Sequence, residues 1–195
     1  MSFTVEELAE GHLPLLHALF EASSSTCFCR YWHFEGTKND WLDRCANRPE
    51  ENAAELDAAV RAKDPAARGL VARDPAAGSA IVGWMKLTAR VHVPKLRNLP
   101  VYRSVDLGDE VTTFSIGCFL VHPEARGRGV ARALVEAAPA FVRRWGGRAI
   151  EAYPRRSSEP LYPEEAWQGP ESLFVRAGFE LVLDQPAYPV YRLLL

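Results

Sequence analysis

Several signatures that would assign a function at sight are missing from this 195-residue chain. There is no basic excess: 23 Lys plus Arg stand against 25 Asp plus Glu, a net charge of −2. Proteins that coat nucleic acid usually show such an excess, so that class is set aside and no nucleic-acid partner is expected. No apolar run approaches the roughly 20 residues needed to span a bilayer, so no membrane partner is expected either. The segment MSFTVEELAEGHL is acidic where a secretory signal would be basic and then apolar, which points to a cytoplasmic protein. Cysteine is scarce, and Cys27, Cys29, Cys45 and Cys118 are expected reduced. No Walker string G-x-x-x-x-G-K-[ST] occurs, and neither an internal repeat nor an interdomain linker is visible. What is present is a 48% hydrophobic content, enough for a real core in a chain of single-domain length.

The pattern along the chain is mixed. Thr4-Val5-Glu6-Glu7 reads as a capping box, and Pro14 suits the first turn of a helix carrying Leu15, Leu16, Leu19 and Phe20 on one face. SSSTCFCRYWHFEGT reads as loop. Residues 40–63 have helical composition cut by Pro49. GLVAR, a DPAAGS turn and AIVGWMKLTAR predict a β-hairpin, and residues 90–109 a long loop. VTTFSIGCFLV (111–121) is the most apolar strand. A helix with Val130, Leu134, Val135, Ala138, Phe141, Val142 and Trp145 at helical spacing follows, with Pro139 expected to kink it and Gly146-Gly147 closing it. RAIEAYP, a Pro-rich loop, the short helix ESLFVRAG and the strands FELVLD and YPVYRLLL complete the chain.

The chemistry is concentrated where the strand ending CFLV meets HPEARGRGVARALV. A strand, a turn holding Gly127 and Gly129, and an immediate amphipathic helix suit a phosphate or pyrophosphate, because glycine lets backbone N–H groups converge and the helix start adds unpaired donors. Arg126, Arg128 and Arg132 add positive charge. A Rossmann fingerprint fails because Arg132 stands where its third glycine belongs. An ordinary glycine turn is the plain alternative. Arg126, Gly129 and Ala131 meet the pattern R-x-x-G-x-A, and this loop resembles the coenzyme A pyrophosphate loop of the GNAT superfamily of acyl-CoA N-acyltransferases. RAIEAYP, SLFVRAGF and the two closing strands follow in that superfamily's order, and VGWMKL matches its third strand. The CFCRYW string resembles a small subgroup marked by C-x-C-x-Y-W.

The resemblance implies an α/β fold with a mixed, mostly antiparallel twisted sheet flanked by helices, its fourth and fifth strands parallel and splayed. It implies one domain over 1–195, with 1–68 a helical N-terminal part and 69–195 the cofactor-binding core. It implies acetyl-CoA as co-substrate, held by backbone groups of Phe119, Leu120 and Val121 and by Arg126, Gly127, Arg128, Gly129, Val130 and Ala131. The reaction would move an acetyl group to a primary amine of a small molecule or peptide, by direct attack.

The proton-transfer groups are less defined. The superfamily's usual Tyr acid falls on Phe174, and a glutamate some members use as base falls on Phe114. Glu151, Glu110 and His122 are the candidate bases, and Tyr153 or Tyr162 could replace the missing acid. Phe174 therefore motivates a rival reading, a non-catalytic acyl-CoA-binding regulatory or sensor domain. A zinc site of Cys27, Cys29, His33 and Cys45 lacks a common finger spacing, so no metal is expected. Phe28, Tyr31, Trp32 and Phe34 suggest the rim of an acceptor site. A homodimer is the commonest soluble homo-oligomer, and the sequence does not decide it.

Overall fold

The computed structural model describes residues 3–98, 102, 108–159, 161–162 and 165–195. Part of the loop expected over 90–109 therefore lies outside the described residues, as do Pro160 and Pro163. One seven-stranded sheet organises the chain, in the order β1-β2-β3-β4-β5-β7-β6. Its strands are β1 (Thr4–Glu7), β2 (Gly69–Asp74), β3 (Ala80–Ala89), β4 (Thr113–Val121), β5 (Ala149–Ala152), β6 (Glu180–Leu183) and β7 (Val190–Leu194). Among the described strands only β4 and β5 pair in parallel. Helices α1 (Leu13–Ala22), α2 (Lys38–Asn47), α3 (Pro49–Arg61), α4 (Pro94–Asn98), α5 (Val130–Arg144) and α6 (Glu171–Arg176) flank it. Among the described residues no helix is long and apolar enough to cross a membrane.

The first segment corrects the sequence reading. Thr4–Glu7 is not a helix cap but an edge strand, antiparallel to β2 with Val5 opposite Ala72. A free sheet edge offers a row of backbone partners that a four-residue capping signature cannot match. The helix itself starts as expected, but it buries Leu13, Leu16, Leu19 and Phe20 and leaves Leu15 on the surface. Pro49 divides the next helical stretch into α2 and α3, and Thr37 caps α2 by accepting from Asp40 N–H at 3.2 Å.

Two layers of core sandwich the sheet. On one face α5 packs over Leu70, Met85, Leu87, Ile116 and Ile150. On the other α1 and α3 cover Val71, Ile81, Trp84 and Cys118. β4 serves both layers because its register against β3 slips between Lys86 and Leu87, leaving Gly117 as a bulge. Phe114 and Ile116 face α5 before it; Phe119 faces that layer after it, and Cys118 turns to the opposite one. Glycine is required here, since a Cβ would lie 2.9 Å from Trp32 Nε1, the atom that donates to Gly117 O at 3.0 Å.

Candidate active site

β4 leads into a single turn, Pro123–Ala125, and then into two left-handed glycines, Gly127 at φ +73° and Gly129 at φ +88°. Nothing lies within 4 Å of a Cβ at either position, so backbone conformation, not crowding by protein, favours glycine and leaves the space above the turn open. Gly129 precedes α5 without a side-chain cap, and the first helical bond is Ala133 N–H to Gly129 O at 2.9 Å. The N–H groups of Gly127, Gly129, Val130 and Ala131 find no acceptor among the described residues. Together with the positive end of the helix dipole they form an anion cradle. Gly83 brings the helix this close to β3: a Cβ there would meet Val130 Cγ1 at 2.3 Å.

The arginines divide. Arg126 is exposed and makes no ion pair among the described residues. Arg128 is spent on structure, its guanidinium 2.6 Å from Asp74 Oδ2 and its N–H donating to Ala125 O at 3.3 Å. Arg132 pairs with Glu136 one helical turn on, at 2.7 Å. In this position Arg128 braces the turn against β2.

Beside the cradle the sheet opens. The parallel ladder joins Thr113 to Ala149 through Ile116 to Ala152 and then ends, while β4 runs on to Val121. His122 N–H bonds Val82 O at 2.9 Å, so by strand alternation Leu120 N–H is also directed to β3, and Phe119 and Val121 N–H face the opening. The Leu120 N–H is thus turned away from the opening. Phe119 N–H already donates to Trp167 O at 2.6 Å. Val121 N–H has no acceptor among the described residues.

A cleft of about 420 Å³ begins at this opening. Cys118, Phe119 and Leu120 of β4 and Arg126 of the cradle form one side, with residues 23–27, Tyr31, Trp32, Trp41 and Trp167 around it. Sequence reasoning found Tyr31 and Trp32 but missed Trp41, nine residues on in α2, and Trp167, which lies far from the CFCRYW string in sequence. Phe28 stacks on Phe20 at 4.4 Å, and Phe34 packs on Trp41 at 5.2 Å. The glycine inside the VTTFSIGCFLV strand was the available signal for the bulge at the foot of the cleft.

An open parallel pair beside a glycine anion cradle is joined by a sequence match: the profile of the Acetyltransferase (GNAT) family covers residues 26–166. The chain belongs to the GNAT acetyltransferase family. Solved structures share the fold at low identity. The PaiA N-acetyltransferase of Thermoplasma acidophilum, in complex with coenzyme A, is 11% identical over the whole of both chains, with a TM-score of 0.56. A GCN5-related N-acetyltransferase from Kribbella flavida is 17% identical over 100% of this chain and 98% of its own, at 0.56. The GNAT family N-acetyltransferase YhbS of Escherichia coli, in complex with CoA, is 19% identical over 98% and 82%, at 0.53. No curated protein matches the chain in sequence.

Within this GNAT fold the candidate proton-transfer groups are placed as follows. Glu151 is fully buried on β5, with Arg90 Nη1 2.7 Å from one oxygen and Arg192 Nη2 2.5 Å from the other. Tyr153 donates to it at 2.8 Å and shares a 2.9 Å hydrogen bond with Ser115. Burial and the Glu151 charge push the Tyr153 phenol well above its usual value. One network thus holds both side chains: two arginines enclose Glu151, and the Tyr153 hydroxyl points at it. The network ties β4, β5 and β7 together where the opening begins. His122 turns back to cap Pro123–Ala125, its Nδ1 accepting from Glu124 N–H at 3.3 Å. Glu110 lies at the other end of β4 from the cradle, its carbonyl accepting from Val91 N–H at 3.0 Å. Phe174 is completely buried between Phe119 and Phe179, as a core residue. Tyr162 is 71% exposed. Among the described residues no cluster suits a metal ion.

Proposed function

We propose that this acetyltransferase-family protein moves an acetyl group from acetyl-CoA to a primary amine of a small molecule or peptide, by direct attack. The observation that carries the reading is the continuity of three features: the cradle at Gly127 and Gly129, the unpaired N–H of Val121, and the cleft reached through the opening of β4 from β5. The cradle fits a pyrophosphate, with Gly127, Gly129, Val130 and Ala131 as backbone donors and Arg126 as counter-charge. When bound, acetyl-CoA supplies the activated thioester. The chain's own part is to align it along β4 and to admit an amine from the cleft side. Val121 N–H offers a partner to an extended chain lying in the opening, and Phe119 N–H becomes a second once Trp167 O withdraws. That second donor points into the opening at the height of the cleft, where it would polarise a carbonyl.

A release assay for free thiol across a panel of amines tests the reading. Amine-dependent thiol release supports it; tight CoA binding with no turnover on a broad panel overturns it. That second outcome would favour the sensor reading, which the Phe119–Trp167 bond and the core position of Phe174 motivate. Cell fractionation tests the cytoplasmic reading, and light scattering tests the homodimer.

A further inference from the structure

We propose that the acceptor is an amine carried on an aromatic ring system and uncharged as it binds, a reading that rests on acyl transfer and names its substrate class. The cleft is of a size for a one- or two-ring molecule, about 420 Å³. Facing the hydroxyl-bearing stretch Ser23–Thr26, an aromatic frame comes from three elements: Tyr31 and Trp32 from the turn after the CFC string, Trp41 from α2, and Trp167 from the loop before α6. They brace one another edge to face, Tyr31 against Trp41 at 5.6 Å and against Trp167 at 6.3 Å. Trp32 is pinned through its ring N–H to the β4 bulge. Such a frame holds a flat ring with little loss of side-chain freedom.

Charge decides what form the amine takes. The ionised side chain lining the cleft is a cation, Arg126, and no carboxylate lines it among the described residues. A second cation, Lys86, is buried opposite Cys118 across the β3–β4 ladder. The Tyr31 ring already carries the Lys95 ammonium 4.2 Å from its centre, which uses one of its faces. A polyamine or a lysine-rich peptide would find no carboxylate in this lining to pair with its ammonium groups. An alkylammonium, with a pKa near that of lysine at about 10.4, must also lose a proton before it attacks. Glu151, the buried carboxylate on the neighbouring strand, is held by two arginines. A weakly basic aromatic amine has its lone pair free at neutral pH, so it meets neither obstacle.

The experiment uses the full chain, acetyl-CoA and four acceptors: p-anisidine, phenethylamine, spermidine and a lysine-bearing peptide. At neutral pH, kcat/KM for p-anisidine is expected to exceed that for spermidine and for the peptide by at least about tenfold, the size of a 1.4 kcal/mol discrimination. For phenethylamine it should rise about tenfold per pH unit from about pH 7 to 9, as the uncharged fraction grows. Preference for spermidine or the peptide, or a flat phenethylamine profile, overturns the proposal and leaves acyl transfer standing. Binding of p-anisidine to the CoA-loaded protein, followed separately by calorimetry, distinguishes the two failures. Binding without thiol release supports the cleft assignment and sinks the acyl-transfer reading; neither binding nor turnover of either aromatic amine overturns the cleft assignment. Trp41→Ala should raise KM for p-anisidine about tenfold with CoA affinity unchanged, and Trp41→Phe should restore most of it. An unchanged KM in Trp41→Ala counts against the proposal.

Discussion

Gly129 joins two requirements in one residue, a φ of +88° and an open approach to the N–H groups that start α5. Replacing it with glutamate strains the backbone by about 1–2 kcal/mol and puts a negative charge where an anion is held. Gly129→Glu should weaken CoA binding by at least about a hundredfold in calorimetry, a loss of ~3 kcal/mol, while the far-ultraviolet dichroism stays that of a folded chain. Unchanged affinity would remove the cradle from the cofactor site. Lys86 gives a residue-scale prediction of another kind. Its ammonium is fully enclosed, donates to Ala66 O at 2.6 Å, and is pulled down to about 8 by burial. The unfolded chain keeps that proton to about pH 10.4, so between those values the unfolded state binds more protons and this group adds stability as pH rises. Below about pH 8 the burial penalty is fully present; by about pH 10.4 it is relieved, a change of roughly 3 kcal/mol. Two neighbouring thiols act in the opposite sense. Cys27 is raised by its hydrogen bond with Cys29 and by burial, and Cys29 by its hydrogen bond with Cys118. Comparing urea midpoints of wild type and Lys86→Met across this range isolates the lysine: the difference should move in favour of wild type as pH rises. A constant difference would contradict the assignment.

At the scale of elements, β4 carries most of the site, and its bulge does more than its length. Without Gly117 the strand would keep one alternation, Cys118 would face α5, and the cleft would lose that wall. Gly117→Val should cost about 1–3 kcal/mol in urea unfolding through the clash with Trp32. It should also raise the acceptor KM, because the ring it displaces is part of the cleft; a KM equal to wild type would show that Trp32 does not contact the acceptor. The apolar run of β4 and the glycine turn after it are local patterns, and the sequence made both legible. The bulge was legible only as a glycine inside a strand, a weak signal on its own. The bond from Phe119 N–H to Trp167 O was not legible at all, since it joins positions far apart in sequence and depends on the course of an irregular loop. Glu151 shows the same limit. Its type and strand suggested a base, while the two arginines that neutralise it come from the end of β3 and from β7. Periodicity within one element says nothing about partners that arrive from another.

Across the whole molecule, the order of elements from β2 to β7 was readable because each is a short, locally coded unit and the sheet joins most of them to a sequence neighbour. β1 was misread because four residues at an edge take their conformation from β2, not from their own pattern. The aromatic wall was half readable for the same reason, Tyr31 and Trp32 lying in one string and Trp41 and Trp167 elsewhere. That convergence has an optical consequence. Of five tryptophans, Trp32, Trp41 and Trp167 line the cleft, and Trp84 donates its ring N–H to the Cys29 thiol at 3.3 Å. Trp145 is apart from them, stacked on Phe114 at 5.7 Å at the end of α5. The protein therefore carries its own fluorescent reporter, with Trp145 as steady background and Trp167 at the opening itself. Acetyl-CoA should shift or quench the emission as Trp167 leaves Phe119, and the change should largely disappear in Trp167→Phe. A titration seen equally in both proteins would place the responding indole elsewhere.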